Sequence, residues 1–330
     1  MHSKAPPLIS LLLLLSLSSA AQVPRFYLGF DQILDNREYF TKYGMHQTIF
    51  GARINPGLSV GFDSMHSVHA GVNYMYEYGG KLLGVTPQID LYYAYSGEKV
   101  QARFGSFRRS EVMEYPLLLL TDSITYYRPN VEGASLGYHW EWGHVHAWVD
   151  WMGRENDSTR EAIHAGADAR VRFRMLYLQA ISTRYHLART TSPADMNQIR
   201  DDGSILVMAG ADLSEYLFLD RLEVAAGLAS FYKKQRPSSY YQWFNGLYGQ
   251  LELDYWLAGL KASYYYGDPP PLVLGDPLFT SGNYGRLDLF LDPFRNNSRI
   301  SSKISFNLHF LPYDGIYMSQ QILITVALGR

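Results

Sequence analysis

The sequence predicts an all-β fold: a transmembrane antiparallel β-barrel of about sixteen strands behind an N-terminal secretory leader. Three observations predict it. Hydrophobicity alternates with period two along almost the whole chain, the N-terminus has the layout of a signal peptide, and short and long connections alternate between the strands.

The leader comes first. Residues 1–21 carry one basic residue (Lys4), an apolar run from Leu8 to Leu17, and a small-residue exit, Ser18-Ser19-Ala20-Ala21. The run is shorter than the ~20 apolar residues a spanning helix needs, so the segment reads as a cleaved signal peptide. Residues 22–330 then form the barrel, and no later stretch is long and apolar enough for a spanning helix.

Composition narrows the function classes. The chain has no Cys, 27 Tyr, 28 Gly and 15% aromatic residues. Removing the leader takes Lys4 with it and leaves 28 basic against 31 acidic residues, a net charge of −3. Neither sign dominates, so no nucleic-acid partner is expected. The lack of Cys excludes disulfides, thiol chemistry and Cys-ligated metals.

The strands follow in order. Around residues 160–173, Ile163, Ala165, Ala167, Ala169, Val171 and Phe173 share one face, and His164, Asp168, Arg170 and Arg172 the other. The same alternation recurs in Val145/Ala147/Val149/Trp151, Ile205/Val207/Ala209/Ala211, Leu247/Leu251/Leu253/Tyr255, Ile304/Phe306/Leu308/Phe310 and Ile322/Ile324/Val326/Leu328. Segments of about ten residues with one dry and one charged face are what a barrel with lipid outside and water inside requires. Closure is required too, because an open edge cannot satisfy its backbone in hydrocarbon. Asn55-Pro56-Gly57 has turn composition, yet Ala52, Ile54, Pro56, Leu58, Val60 and Phe62 keep one parity through it. Residues 48–63 therefore read as one strand with a bulge or kink at Pro56.

The expected strands are 25–33, 48–63, 66–78, 86–96, 98–107, 132–142, 143–153, 160–173, 174–187, 203–216, 218–232, 243–257, 259–267, 283–292, 299–311 and 317–328. Residues 31–47 and 268–298 are the ambiguous segments, and the parse admits 14–18 strands. Connections at 64–65, 97, 142/143, 173/174, 217, 258 and 293–298 are the short set. Those at 34–47, 79–85, 108–131, 188–202, 233–242 and 268–282 are the long one. This alternation puts both termini on the periplasmic side of a bacterial outer membrane. Tyr74/Tyr76/Tyr78, Tyr92/Tyr93/Tyr95, Tyr264/Tyr265/Tyr266 and Trp140/Trp142/Trp148/Trp151 supply aromatic girdles.

The wet faces carry Arg53, Arg103, Asp168, Arg170 and Arg172 among other charges of both signs, as a lumen for small polar solutes would. The loop at 108–131 contains Leu117 to Leu120, an apolar run that must pack against something. It resembles, in position and length, the third external loop of sixteen-stranded general porins, which folds into the lumen. That resemblance implies Arg108, Arg109, Glu111, Glu114 and Asp122 as pore-narrowing charges. Capping the mouth or docking a partner are the other roles open to it.

Two further constellations have residue types suited to chemistry. His139, Glu141, His144, His146 and Asp150 face one way on adjoining strands and have the residue types of a metal site, but so do ordinary barrel interiors. Asp35-Asn36-Arg37-Glu38-Tyr39 is a dense polar cluster placed in the first external loop. It reads as an Arg–carboxylate brace, with ligand binding as the second role. No Gly-x-Ser-x-Gly context for a hydrolase is present, and Asp268-Pro269-Pro270-Pro271 reads as a stiff loop.

The segments DNREYF (35–40), TIFGARINPGLSVGF (48–62) and YPLLLLTDSITYYRPNVEG (115–133) resemble porin-like bacterial outer-membrane barrels. The resemblance covers most of the mature chain and brings no catalytic residue with it. The C-terminus, Val326-Ala327-Leu328-Gly329-Arg330, departs from the terminal aromatic residue of many such barrels. The sequence thus leads to a passive or weakly selective channel for small polar solutes: not an enzyme, without cofactor or metal, in contact with outer-membrane lipid. A non-conducting barrel scaffolding an outer-membrane complex is the alternative. Other outer-membrane proteins or further copies of the chain are the candidate protein partners.

Overall fold

The structure is a computed structural model that describes residues 24–156, 159–188, 199–236 and 238–329. The expected signal peptide lies outside the described residues.

Sixteen antiparallel strands close into one barrel, each paired with its chain neighbours and the last with the first. They are β1 (Arg25–Glu38), β2 (Gln47–Gly61), β3 (His66–Glu77), β4 (Gln88–Ser96), β5 (Val100–Arg108), β6 (Asn130–Trp140), β7 (Gly143–Gly153) and β8 (Ala162–Phe173). The circuit continues with β9 (Leu176–Leu187), β10 (Arg200–Asp212), β11 (Arg221–Gln235), β12 (Gln242–Tyr255), β13 (Ala258–Gly267), β14 (Asn283–Leu291), β15 (Ile300–Leu311) and β16 (Gly315–Leu328). One short helix, α1 (Asp122–Tyr127), lies in the connection after β5. No helix among the described residues is long and apolar enough to cross a membrane.

Closure explains why the alternation runs from end to end. With no free edge, each strand meets lipid on one face and the lumen on the other. In β9, Leu176 and Leu178 on the outer wall are 53% and 61% exposed, while Tyr177 and Ile181 face inward and are buried. The even strand count places both chain ends at the end of the barrel that has the short turns. The long connections gather at the opposite end, called the loop end below.

Pro56 is accommodated without a bulge. Its pairing to β1 is continuous, with Pro56 opposite Leu28. Pairing to β3 skips Asn55 and Pro56 and resumes at Gly57–Gly71 in the same register. Proline has no N–H to offer, and the Asn55 side-chain amide donates instead to the Val72 carbonyl at 2.9 Å. The register shift in this wall lies elsewhere, between Trp151 and Gly153 of β7.

Several boundaries differ from the sequence expectation by a few residues, and two of the differences bear on the site. β1 continues to Glu38, so Asp35 to Glu38 lie in a strand and not in a loop. The segment pairs on both sides, Asn36 opposite Thr48 of β2 and Gln320 of β16, which compensates for its lack of apolar residues. The loop expected at 108–131 is 109–129, because Arg108 and Asn130 pair with each other in the ladder.

The barrel is filled at the loop end. The 109–129 connection folds inward, and so does the 268–282 connection. Leu118, Leu119, Leu278 and Phe279 pack with Ile181, Leu206, Met208, Phe231, Tyr248, Tyr265 and Tyr284 of the inner wall. Leu120 and Leu274 pack with Phe107, Val131 and Trp148. The two loops bond directly, Thr121 N–H to Leu274 O at 2.7 Å and Asp276 N–H to Leu117 O at 2.8 Å. Gly275 permits this approach, since a Cβ there would sit 2.2 Å from Leu118 O.

Candidate functional site on the outer wall

On β1 the inward residues are Asp31, Ile33, Asp35 and Arg37, and the outward ones Leu28, Phe30, Gln32, Leu34, Asn36 and Glu38. Thr48 and Gln320 share the outward parity, because both lie opposite Asn36. Four polar side chains therefore meet on the outer wall at the loop end. Thr48 Oγ1 donates to Asn36 Oδ1 at 2.7 Å. Asn36 Nδ2 donates to Glu38 Oε1 at 2.8 Å and to Gln320 Oε1 at 2.7 Å. Below them Tyr78 Oη donates to Gln32 Oε1 at 2.8 Å, and the Tyr78 ring meets Phe50 edge-on at 4.7 Å. Leu28, Phe50 and Ile54 on the same wall are 44–45% exposed. The result is a polar island at the rim of an apolar band.

The wall is braced from inside at this point. Arg37 holds Asp35 at 2.7 Å and donates to Ser123 Oγ of α1 at 2.8 Å. Asp35 is fully buried, and its Oδ1 has no hydrogen-bond partner. Gln321 Nε2 donates to Asp122 Oδ2 at 3.0 Å. Arg53 donates to the carbonyls of Thr125 and Tyr126. Ile33, Ile49, Met75 and Tyr126 pack together. Helix α1 thus fastens to β16, β1 and β2, the three strands that carry the outer cluster. Locked backbones under a polar constellation are what a preorganised site requires.

The expected pore charges all face the lumen, and most are paired. Arg53 lies 3.4 Å from Asp31, Arg103 3.4 Å from Glu111, and Arg170 3.2 Å from Glu223. Arg172 lies 3.7 Å from both Asp212 and Glu215. Arg109 is buried against Asp150 at 2.5 Å. Asp122 meets Gln321 as above. Glu114 lines a cavity of about 370 Å³ nearer the turn end, together with Glu111, Arg103 and Asp168. The Arg108 guanidinium lies against Gly29 of β1.

The histidine constellation is only partly assembled. His144 and His146 both reach Asp168, at 3.0 and 3.4 Å, and the His139 and His144 rings are 5.8 Å apart. Asp150 belongs to Arg109 instead. Among the described residues no group of three or more His, Asp or Glu is arranged to hold a metal ion. Tyr115 caps this region, accepting from Trp148 Nε1 at 2.7 Å and donating to Asp168 at 3.2 Å. Burial pushes its phenol far above the ordinary range.

Thr48 and Gln320 are candidate site residues that the sequence reading did not single out. Their signal was available: each is a polar residue at the apolar parity of its strand. Ending the first strand at residue 33 hid the pairing that brings them to Asn36.

The fold is shared with solved outer-membrane proteins. A loop-deletion variant of OmpT from Vibrio cholerae matches with a TM-score of 0.58 at 10% identity, over 94% of this chain and 100% of that one. OmpF of Salmonella typhi, solved with daunomycin, matches at 0.56 and 11%, over 92% and 97%. OprB of Pseudomonas putida matches at 0.53 and 7%, over 97% and 96%. At such identities the likeness is one of fold. No curated protein matches the chain. The family model for lipid A 3'-O-deacylase-type proteins matches residues 21–322. That match overturns the expectation that the chain is not an enzyme, which rested on the missing Gly-x-Ser-x-Gly context, a mark of a different hydrolase fold. The chain belongs to the lipid A 3'-O-deacylase-type family, built on a sixteen-stranded porin-like barrel.

Proposed function

We propose that this protein is an outer-membrane acyl-ester hydrolase acting on an acylated glycolipid of the lipid A class, which it meets on its outer wall. The observation that carries this reading is the Thr48–Asn36–Glu38/Gln320 chain on the lipid-facing parity, at the rim where apolar band gives way to loops. A lumenal site would require a lipid to leave the membrane. A site on the wall takes it where it lies. In this reading the loop end faces the exterior, and both termini are periplasmic.

Each residue has a role that its contacts support. Glu38 is exposed and carries the carboxylate that takes a proton from water. The water oxygen attacks the ester carbonyl carbon. The bond from that carbon to the sugar oxygen then breaks, and the sugar oxygen receives the proton from Glu38. The products are a free fatty acid and a hydroxyl on the glycolipid. The Gln320 amide offers a donor for the negative charge on the carbonyl oxygen. Thr48 fixes which way the Asn36 amide points, so that its N–H groups hold Glu38 and Gln320 together. Leu28, Phe50 and Ile54 border the acyl chains.

The test is fatty-acid release from purified lipid A in mixed micelles. Wild type is expected to release it, Glu38→Gln to lose at least 100-fold in rate, and Thr48→Val to lose at least 10-fold with unchanged folding. Equal rates in all three would remove the outer wall from the reaction.

Permeation of small polar solutes is the second reading, favoured by the mixed-charge cavity around Arg103, Glu111, Asp168 and Arg170. The inward loops oppose it at the loop end. Planar-bilayer recordings of purified protein decide it: stepwise conductance supports passage, and a silent bilayer counts against it.

A further inference from the structure

A cavity lies inside the lumen, on the opposite face of the wall that carries the outer cluster. It measures about 240 Å³ and is bordered by Arg53, Arg108, Arg109, Asp31, Thr125 and Thr325, among others. Three guanidinium groups line it. Arg109 is neutralised by Asp150. Asp31 is shared, since one oxygen lies 3.4 Å from Arg53 Nη1 and the other accepts from Thr325 at 2.9 Å. Arg108 has no carboxylate within salt-bridge distance among the described residues. With two carboxylates against three arginines, the cavity holds one positive charge in excess.

The hydrogen-bonding ledger agrees with the charge. Arg108 Nε and Nη2 and Arg53 Nε are closed off from solvent and have no acceptor. Buried guanidinium N–H groups without partners cost free energy, and proteins keep few of them. Arg108 reaches this position because Gly29 of β1 has no side chain; a Cβ there would lie 3.2 Å from Arg108 Nη2. The planar fork of a guanidinium presents parallel donors that match the oxygens of a phosphate or carboxylate. A cavity of this size holds such an oxyanion with water to spare, a water's share of volume being about 30 Å³.

We infer that the cavity between Arg53 and Arg108 is an oxyanion-binding site for a phosphate group. It stands independently of the proposed hydrolase activity. The phosphate sits beside the backbone of α1, which Arg53 holds through the Thr125 and Tyr126 carbonyls. Occupancy therefore tightens the brace behind the outer wall.

The test uses full-length protein in detergent, with inorganic phosphate as one probe and a soluble hexosamine phosphate as the other, each titrated by calorimetry and by resistance to urea. Wild type is expected to bind inorganic phosphate saturably and to gain stability from it. Arg108→Gln is expected to bind at least 10-fold more weakly while folding at least as well as wild type in phosphate-free buffer, because it removes donors that lack acceptors. Lys99→Gln, an exposed turn substitution, is expected to bind like wild type. Binding of the hexosamine phosphate alone, lost in Arg108→Gln, supports the site and assigns it to a lipid headgroup. Absence of saturable binding of both probes, or equal affinity in Arg108→Gln and wild type, overturns the inference.

Discussion

Replacing Arg109 by methionine strips the counter-charge from Asp150 at a point where neither side chain sees solvent. The two are 1% and 0% exposed and approach to 2.5 Å. Arg109 also donates to the carbonyls of Arg128 at 3.1 Å and Asn130 at 2.8 Å, so it ties the start of the inward loop to its end. At an effective dielectric constant near 20, unit charges about 4 Å apart attract by about 4 kcal/mol. Removing one partner of a buried pair costs about 3–5 kcal/mol, because the survivor stays buried without compensation. Arg109→Met is thus expected to destabilise the barrel by about 3–5 kcal/mol. Asp150→Asn should cost a similar amount. The double variant should cost at least ~2 kcal/mol less than the sum, since no lone charge remains. Reversible urea unfolding in lipid vesicles, followed by tryptophan fluorescence, measures all three. A single variant within ~1 kcal/mol of wild type, or strict additivity in the double, would refute the assignment of the pair as the anchor of the loop.

Two more outcomes follow from the packing. Asn55→Ala removes the donor that serves Val72 O and Asp90 Oδ2, and should cost about 1–3 kcal/mol in the same unfolding measurement; a neutral result would mean that water replaces the amide. Gly275→Ala places a methyl group against Leu118 O and must part the two inward loops, so amide exchange at Leu119 to Thr121 should accelerate at least tenfold; unchanged protection would show that the loops do not depend on that contact.

How far the sequence revealed this molecule depends on the physics that each part obeys. All sixteen strands were legible, because lipid outside and water inside impose a two-residue period that no loop imitates. The apolar run at Leu117–Leu120 announced that its loop packs against something, and the fold shows that the partner is the inside of the barrel. Its partner loop did not announce itself: Asp268-Pro269-Pro270-Pro271 reads as a stiff loop, and only the fold brings Leu274, Leu278 and Phe279 against the leucines. Asp35 to Glu38 was misplaced in a loop because a run of polar residues has no alternation to follow. Its strand character comes from neighbours about 12 and 284 residues away in the chain, Thr48 and Gln320. The Arg–carboxylate brace expected in that cluster is present as Arg37–Asp35, yet the residues between and beyond them, Asn36 and Glu38, turn outward to form the proposed site. Arg53, Arg103, Asp168, Arg170 and Arg172 keep the inward parity that the two-residue period assigns them, whereas their pairing partners, set by register between distant strands, were beyond the reach of composition and period.

The proposed ester-cleaving site lies on the outer wall at Asn36, Glu38, Thr48 and Gln320. Mass spectrometry of lipid A extracted from outer membranes containing equal amounts of folded wild-type protein or Glu38→Gln tests it most directly. Lipid A lighter by one acyl chain is expected with wild type, and intact lipid A with Glu38→Gln. Intact lipid A in both, or the same loss in both, would contradict it.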